Sequence, residues 1–203
     1  EGETVSFSAT VSDPEDSSTD LTLSYSSDID GEFSTQSADA QGVSQFTIST
    51  LSSGLHNITV TVTDMDGGTD TASITLQVNA LPTAPTVSIA PSPAYTTDNL
   101  TATASGSTDS DGNTVTYTYE WYNNGNITSN TSMTISSSET TSGETWTVRV
   151  TPNDGYHDGP YTEESIVISN SDPVLSSVSI APNTGVYNDS TLTCSATATD
   201  ADE

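Results

Sequence analysis

The chain has 203 residues, 28 acidic side chains, a single arginine, no lysine and a formal net charge of −27. Nothing in such a chain can displace counterions from phosphate, which excludes nucleic acid as a partner and an anionic membrane surface with it. Self-repulsion of this size keeps a protein soluble but opposes the compact state, so high salt, divalent cations or a cationic partner would relieve it.

The chain is rich in serine and threonine, a composition that disorder can share. Its strict apolar–polar alternation argues for strands instead, because a disordered chain has no reason to keep a period of two. In the first segment, residues 1–12 read as a strand with Val5, Phe7, Ala9 and Val11 on one side. The acidic loop Asp13-Pro14-Glu15-Asp16 follows, then an inward stripe of Leu21, Leu23 and Tyr25, and a turn at Asp28-Ile29-Asp30-Gly31. Strands are expected at Val43–Ile48, at Ile58, Val60 and Val62, and at Ile74, Leu76 and Val78, with a hairpin loop at 64–70. The prolines Pro82 and Pro85 then mark a linker that cannot pair as a strand.

The second segment opens with Thr86-Val87-Ser88-Ile89-Ala90-Pro91. Leu100, Ala102 and Ala104 alternate, as do Tyr117, Tyr119 and Trp121, with a turn at Asn123-Asn124-Gly125. Met133 with Ile135, then Trp146, Val148 and Val150, then Ile166 with Ile168 supply the remaining stripes. After a second linker at Asn170–Pro173, Val178-Ser179-Ile180-Ala181-Pro182 repeats Val87–Pro91 letter for letter. The strand-into-acidic-loop pattern also recurs, ending at Asp13–Asp16, Asp109-x-Asp111 and Asp200-x-Asp202, roughly every 90 to 95 residues, the size of one immunoglobulin-like sandwich. No helical period appears.

The stretch Ser12–Ser34 and the run Leu51–Val78 resemble PKD-type and related immunoglobulin-like repeats of large microbial secreted or surface proteins, and residues 86–173 are similar to repeats of the same class. The resemblance implies an all-β fold of tandem immunoglobulin-like antiparallel sandwiches. Residues 1–79 would form a sandwich lacking its first strand, 80–170 a complete one, and 171–203 the first two strands of a third. Trp121 would take the place of the core tryptophan of such sandwiches. The inter-sheet disulfide has no counterpart, since Cys194 is the only cysteine; alternation puts it on the inward face of its strand as a small buried residue.

Three kinds of site are readable. Catalysis is not expected: His56 and His157 fall in different segments, and no nucleophile triad, phosphate loop or His-Glu-x-x-His motif accompanies them. Calcium is a candidate cofactor, because it takes six to eight hard oxygens in flexible geometry. Its candidate ligands are Asp13, Glu15 and Asp16 facing Asp64, Asp66 and Asp70; Asp109 and Asp111 facing Asp154 and Asp158; and Asp200 with Asp202. Five glycosylation sequons stand at Asn57, Asn99, Asn126, Asn130 and Asn188.

These observations point to an extracellular structural protein, secreted or on the cell surface: a stalk, surface layer or filament whose partners are copies of itself or neighbouring repeats. Two other readings stand beside it, an adhesin binding a glycan or protein ligand, and an accessory region of a large secreted enzyme. Tyr122, Tyr156 and Tyr161 gathered on one exposed face would favour a glycan.

Overall fold

The structure is a computed structural model and describes residues 4–202. About half of its residues lie in strands, nearly all of them paired antiparallel, with only two short 3-10 turns among the described residues, and the chain divides into two compact units, Glu1–Leu81 with Asp109–Asn113, and Pro82–Thr108 with Thr114–Glu203.

The first unit is a sandwich of two sheets. Strand β1 (Val5–Thr10) begins later than the alternation predicts, residues 1–3 lying outside the described part. Among the described residues it pairs only with β4 (Val43–Ile48). The facing sheet runs β3-β2-β5-β6, from β2 (Thr22–Ser27), β3 (Gly31–Ser37), β5 (Gly54–Thr63) and β6 (Thr69–Val78). Inward residues of both sheets, Phe7, Leu23, Tyr25 and Ile58, meet in a core that Leu51 joins from the connection between β4 and β5. Phe46 stacks on Phe7 at 5.4 Å between ring centres and meets Tyr25 edge-on at 4.8 Å. The Tyr25 hydroxyl donates to Ser44 Oγ at 2.9 Å, which satisfies the one polar atom that ring carries into the core. Gly42 joins the sheets' geometry at a place only glycine fits: its φ is +79° and a Cβ there would collide with the Val11 carbonyl.

Ile74 does not close this unit as its stripe implied. It is 61% exposed, because the edge of β1 opposite β4 carries no strand among the described residues. A cleft of about 510 Å³ opens there between β1 and β6.

The second unit has the missing element. Strands β7 (Thr86–Ala90), β9 (Leu100–Ser105) and β12 (Thr134–Ile135) form one sheet in the order β12-β9-β7. The other runs β11-β10-β13-β14-β8, from β8 (Ala94–Tyr95), β10 (Thr116–Asn123), β11 (Asn126–Ile127), β13 (Thr145–Asn153) and β14 (Thr162–Ser169). The first strand changes sheets at Pro91 and Pro93, which cannot donate to a ladder; β8 then lies parallel to β14. Trp121 is fully buried, meets Trp146 edge-on at 6.3 Å, and donates its indole N–H to the Ser132 carbonyl at 2.9 Å. Asn124 and Gly125, both at positive φ, make the two-residue hairpin turn between β10 and β11. Met133 is exposed rather than part of an inward stripe, since β12 is only two residues long and Met133 precedes it.

The strands β15 (Val174–Ala181) and β16 (Thr193–Thr199) form a two-stranded ribbon that ends the chain, within the second unit. Cys194 is therefore exposed, not buried. Alternation placed it on the same side as its apolar neighbours, but no sheet covers that side among the described residues.

Candidate functional site

The acidic loops share one local construction. The leading aspartate of each bends its Oδ1 back to accept backbone amides two to four residues on: Asp13 from Glu15 and Asp16, Asp64 from Asp66 and Gly68, Asp109 from Asp111 and Asn113, Asp154 from Tyr156 and His157, Asp200 from Asp202, all between 2.7 and 3.2 Å. A short carboxylate can mimic a backbone turn in this way, so these residues hold the loops' shape before they hold anything else. The two amide bonds, Glu15 before Asp16, hold the Asp13 carboxyl below the usual aspartate range.

A second carboxylate then reaches the segment that precedes the next set of strands. Asp111 accepts the Ala80 amide on Oδ2 at 2.6 Å and the Gln77 side chain on Oδ1 at 2.9 Å. Asp202 accepts the Ser171 amide on Oδ2 at 2.7 Å. The spacing is 31 residues in both cases, and in both the preceding asparagine, Asn79 or Asn170, donates to the carbonyl of that same connecting residue. Glu15 occupies the corresponding place in the first loop and is exposed.

As metal ligands these residues are dispersed. Asp13, Asp64 and Asp70 line one cleft of about 480 Å³ at the end of the first unit, and Asp16 Oδ2 meets the Met65 amide at 3.5 Å. Asp70 also accepts the Thr71 amide, and Asp66 is exposed. Asp109 and Asp111 belong to the first unit, Asp154 and Asp158 to the second; Asp158 accepts the Asn153 side-chain amide at 2.7 Å. Asp109 Oδ2 and Asp202 Oδ1 are buried without a hydrogen-bond partner among the described residues, but they sit in different loops. Among the described residues no three His, Cys, Asp or Glu side chains converge on a point that could hold a metal ion.

His56 is fully buried, which its place at the start of a strand did not reveal. Ser27 Oγ lies 2.7 Å from Nδ1 and already accepts the amides of Ile29 and Asp30. Its hydroxyl proton therefore points to Nδ1, and Nε2 carries the ring proton and donates it to the Ser52 carbonyl at 2.7 Å. Asp30 stands 3.7 Å from Nδ1, but its Oδ2 takes the Ser52 amide at 3.0 Å. Bonding to Ser52, side chain first and then backbone, holds the Asp30 carboxyl below its usual range. Serine, histidine and aspartate thus stand close together without forming a relay: Ser27 and Asp30 face the same ring nitrogen, the other nitrogen donates to a backbone carbonyl, and Ser27 and His56 are both buried.

Arg149 of β13 organises the exposed face of the second unit. Its guanidinium lies 4.3 Å from the Tyr161 ring centre and 5.2 Å from that of Tyr122, donates to Glu163 at 2.8 Å and stands 3.7 Å from Glu120. The bond to Glu163 is the main reason its pKa is raised. Tyr122 and Tyr161 are thus gathered on one face, but the cation covers their rings. Tyr156 stands apart in the loop after Asp154 and is exposed.

Of the sequons, Asn57, Asn99, Asn126 and Asn188 are exposed. Asn130 is half-buried and fully engaged, accepting from Ser132 and donating to the Thr134 carbonyl.

No protein-family model and no curated protein matches the sequence. Among solved structures the chain is similar to the fibronectin(III)-like modules of Clostridium thermocellum CbhA, at 18% identity and a TM-score of 0.34 over 83% of this chain and 86% of that one. It is similar to a 1.5-MDa bacterial ice-binding adhesin at 16% identity and a TM-score of 0.43, covering 91% of this chain and 63% of that one. It is also similar to the FN1–FN3 domains of chicken CNTN1 at 13% identity and a TM-score of 0.34, covering 74% and 57%.

Proposed function

We propose that the chain is part of an extracellular structural protein, a run of immunoglobulin-like, PKD-like sandwiches serving in a stalk, surface layer or filament. One observation carries this reading: the connecting residues Ala80 and Ser171 are held by the same carboxylate position at the same 31-residue spacing. Supports built to one plan reuse such a device, whereas a catalytic domain has no need of it. The remaining chemistry is consistent with support. His56 is consumed in the core, and the acidic side chains build turns. No catalytic role is proposed, and among the described residues no helix is long and apolar enough to cross a membrane.

The adhesin reading is second. It finds two tyrosines on one face, but Arg149 already lies over one side of each ring, which leaves a sugar less of them to stack on. The accessory region of a large secreted enzyme is third, with no observation of its own. Calcium is proposed only for the cleft lined by Asp13, Asp64 and Asp70, whose loops would have to close on the ion. Glycans are proposed at Asn57, Asn99, Asn126 and Asn188, where the side chain is exposed.

Immunogold labelling of intact cells of the source organism, with antibody raised against this chain, tests the reading. Label at regular intervals along an extracellular layer or fibre is the expected result; label confined to the cytoplasm sinks it. A glycan array that retains the native chain, and not a Tyr122→Ala, Tyr161→Ala variant, would favour the adhesin instead.

A further inference from the structure

The cleft of the first unit is the place that a strand fills elsewhere in this same chain. In the second unit β9 lies between β12 and β7; Ile89 of β7 sits opposite Ala102, and Val87 opposite Ala104. Those two side chains join the core that holds Ile168 of β14, which is 1% exposed. At the chain's end β15, with the same Val-Ser-Ile-Ala-Pro sequence, pairs with β16 in the same way. In the first unit β1 has β4 on one side and no strand on the other among the described residues, and Ile74 of β6 is left 61% exposed.

The open edge is also ready to pair. Val11 donates its amide to Gly42 at 2.8 Å, across from β4. Alternation along an antiparallel ladder then turns Phe7 and Ala9 toward β4 in the same way, and directs the N–H and C=O of Ser6, Ser8 and Thr10 to the open side. The cleft behind that edge is floored by Phe7, Val60, Val62, Ile74 and Leu76, so an incoming strand would find backbone partners and apolar pockets together.

We propose that this cleft binds an extended, uncharged strand of the Thr86–Pro91 type, paired antiparallel to Ser6–Thr10 with its valine and isoleucine turned into the cleft. A second copy pairing edge to edge through β1 fits less well. It would bring two chains of charge −27 together, and β1 already uses its own apolar side chains in its own core. A Thr86–Pro91 strand carries no charge and brings branched apolar side chains two residues apart, the spacing of alternate inward positions. The proposal does not depend on the protein's being extracellular.

The test is a titration of the full 203-residue chain, isotope-labelled for NMR, with a synthetic peptide of residues 84–92. Saturable one-to-one binding is expected, with the largest amide shifts at Ser6, Ser8 and Thr10 and a slowed exchange of those amides. A peptide with serine in place of Val87 and Ile89 should bind at least about tenfold more weakly. Ser8→Pro removes an edge amide without removing a β1–β4 bond and should weaken binding by a similar factor, while an unchanged spectrum of β4 shows that the unit still folds. No binding, equal binding of the serine peptide, or shifts confined to Leu100–Ser105 where the peptide displaces β7, would each overturn the proposal. So would concentration-dependent self-association of the chain that the peptide fails to compete away.

Discussion

Strand β1 and strand β9 are built alike and differ in company. Both alternate apolar inward residues with serine or threonine, both lead into an acidic loop, and each pairs on one side with an antiparallel strand, β4 or the shorter β12. β9 has β7 on its other side and β1 has nothing there among the described residues. With β7 and β8 present, Ile168 and Ile89 are buried; with no counterpart of either among the described residues of the first unit, Ile74 faces water. A sandwich of this kind needs its first strand less for hydrogen bonds than to cover the last strand of the opposite sheet.

The largest expected effect follows from this contrast. Both tryptophans lie in the second unit, so tryptophan fluorescence reports that unit alone, while far-ultraviolet circular dichroism reports both. In urea the dichroism should begin to change before the fluorescence does, because the first unit has the less covered core. Trp121→Ala should destabilise the second unit by about 3–5 kcal/mol, since a fully buried ring leaves a closed cavity. Phe7→Ala should cost about 3 kcal/mol in the first unit, the low end of the range, because the vacated space opens into the cleft. Coincident transitions, or a larger loss for Phe7→Ala, would break the comparison.

A smaller effect belongs to the two matching carboxylates. Asp111→Ala and Asp202→Ala each remove an acceptor from a half-buried amide and should cost about 1–2 kcal/mol. The readout that separates them from general destabilisation is local: hydrogen exchange should quicken at Ala80 in the first variant and at Ser171 in the second. If both amides exchange as in the parent chain, the two bonds do not support the connecting segments.

Much of this architecture was legible in the sequence, and what was missed has physical causes. Period-two stripes mark the strands around Leu23, Ile58 and Val148, and the resemblance to immunoglobulin-like repeats places Trp121 in the core. Strand β3 was not expected, because Phe33 is the one apolar residue in Gly31–Ser37 and a single residue shows no period. Cys194 shares the side of its strand that alternation assigns it but is exposed, because alternation reports which side a residue takes, never whether a sheet lies opposite. The environment of His56 depends on Ser27, 29 residues away, and on a carbonyl delivered by a turn. Local sequence carries neither. The Asp111 and Asp202 bonds do leave a signal, since each pairs with an asparagine-led connection at one fixed interval, but clustered aspartates suit a hard cation and a turn alike, and spacing alone does not separate the two.

Acid should act on the two units unequally, and less strongly than core mutation. The carboxyls of Asp13 and Asp30 in the first unit, and of Glu144 in the second, are held below their usual ranges. For Glu144 burial pushes the other way and is the largest single influence, but bonds from Asn123, Trp146 and the Thr141 amide together outweigh it. A depressed folded-state pKa means stability that is fully present above the unfolded value, about 4, and lost as pH falls through the lower folded values. Above that window the opposite trend holds, since protonating other carboxylates relieves the charge of −27. The melting temperature should therefore rise from pH 7 to about 4.5 and fall below about 3.5, with the first unit falling earlier. Asp30→Asn should flatten the acid limb of the first unit's melting curve; an unchanged limb would show that this carboxylate carries none of it.

The smallest expected effect is that of chelation, and it separates two uses of the same acidic loops. Calcium needs six to eight oxygens around one point. The Oδ1 atoms of Asp13, Asp64, Asp109, Asp154 and Asp200 are each engaged by backbone amides, and the free buried oxygens of Asp109 and Asp202 stand in different loops. If the carboxylates are chiefly turn-builders, excess chelator at low sodium should leave the melting temperature within about a degree, because only a ligand that binds the folded state raises it. Sodium chloride should raise the melting temperature whether or not calcium is present, since screening acts on the whole charge. A fall of several degrees on chelation, restored by calcium and poorly by magnesium, would show that the loops close on an ion. Asp64→Asn then locates the site. It keeps a side-chain oxygen to accept the Asp66 and Gly68 amides but removes the charge an ion needs. Loss of the calcium response in that variant, with the turn intact by NMR, would place the ion in the cleft of the first unit; a response that persists would place it elsewhere.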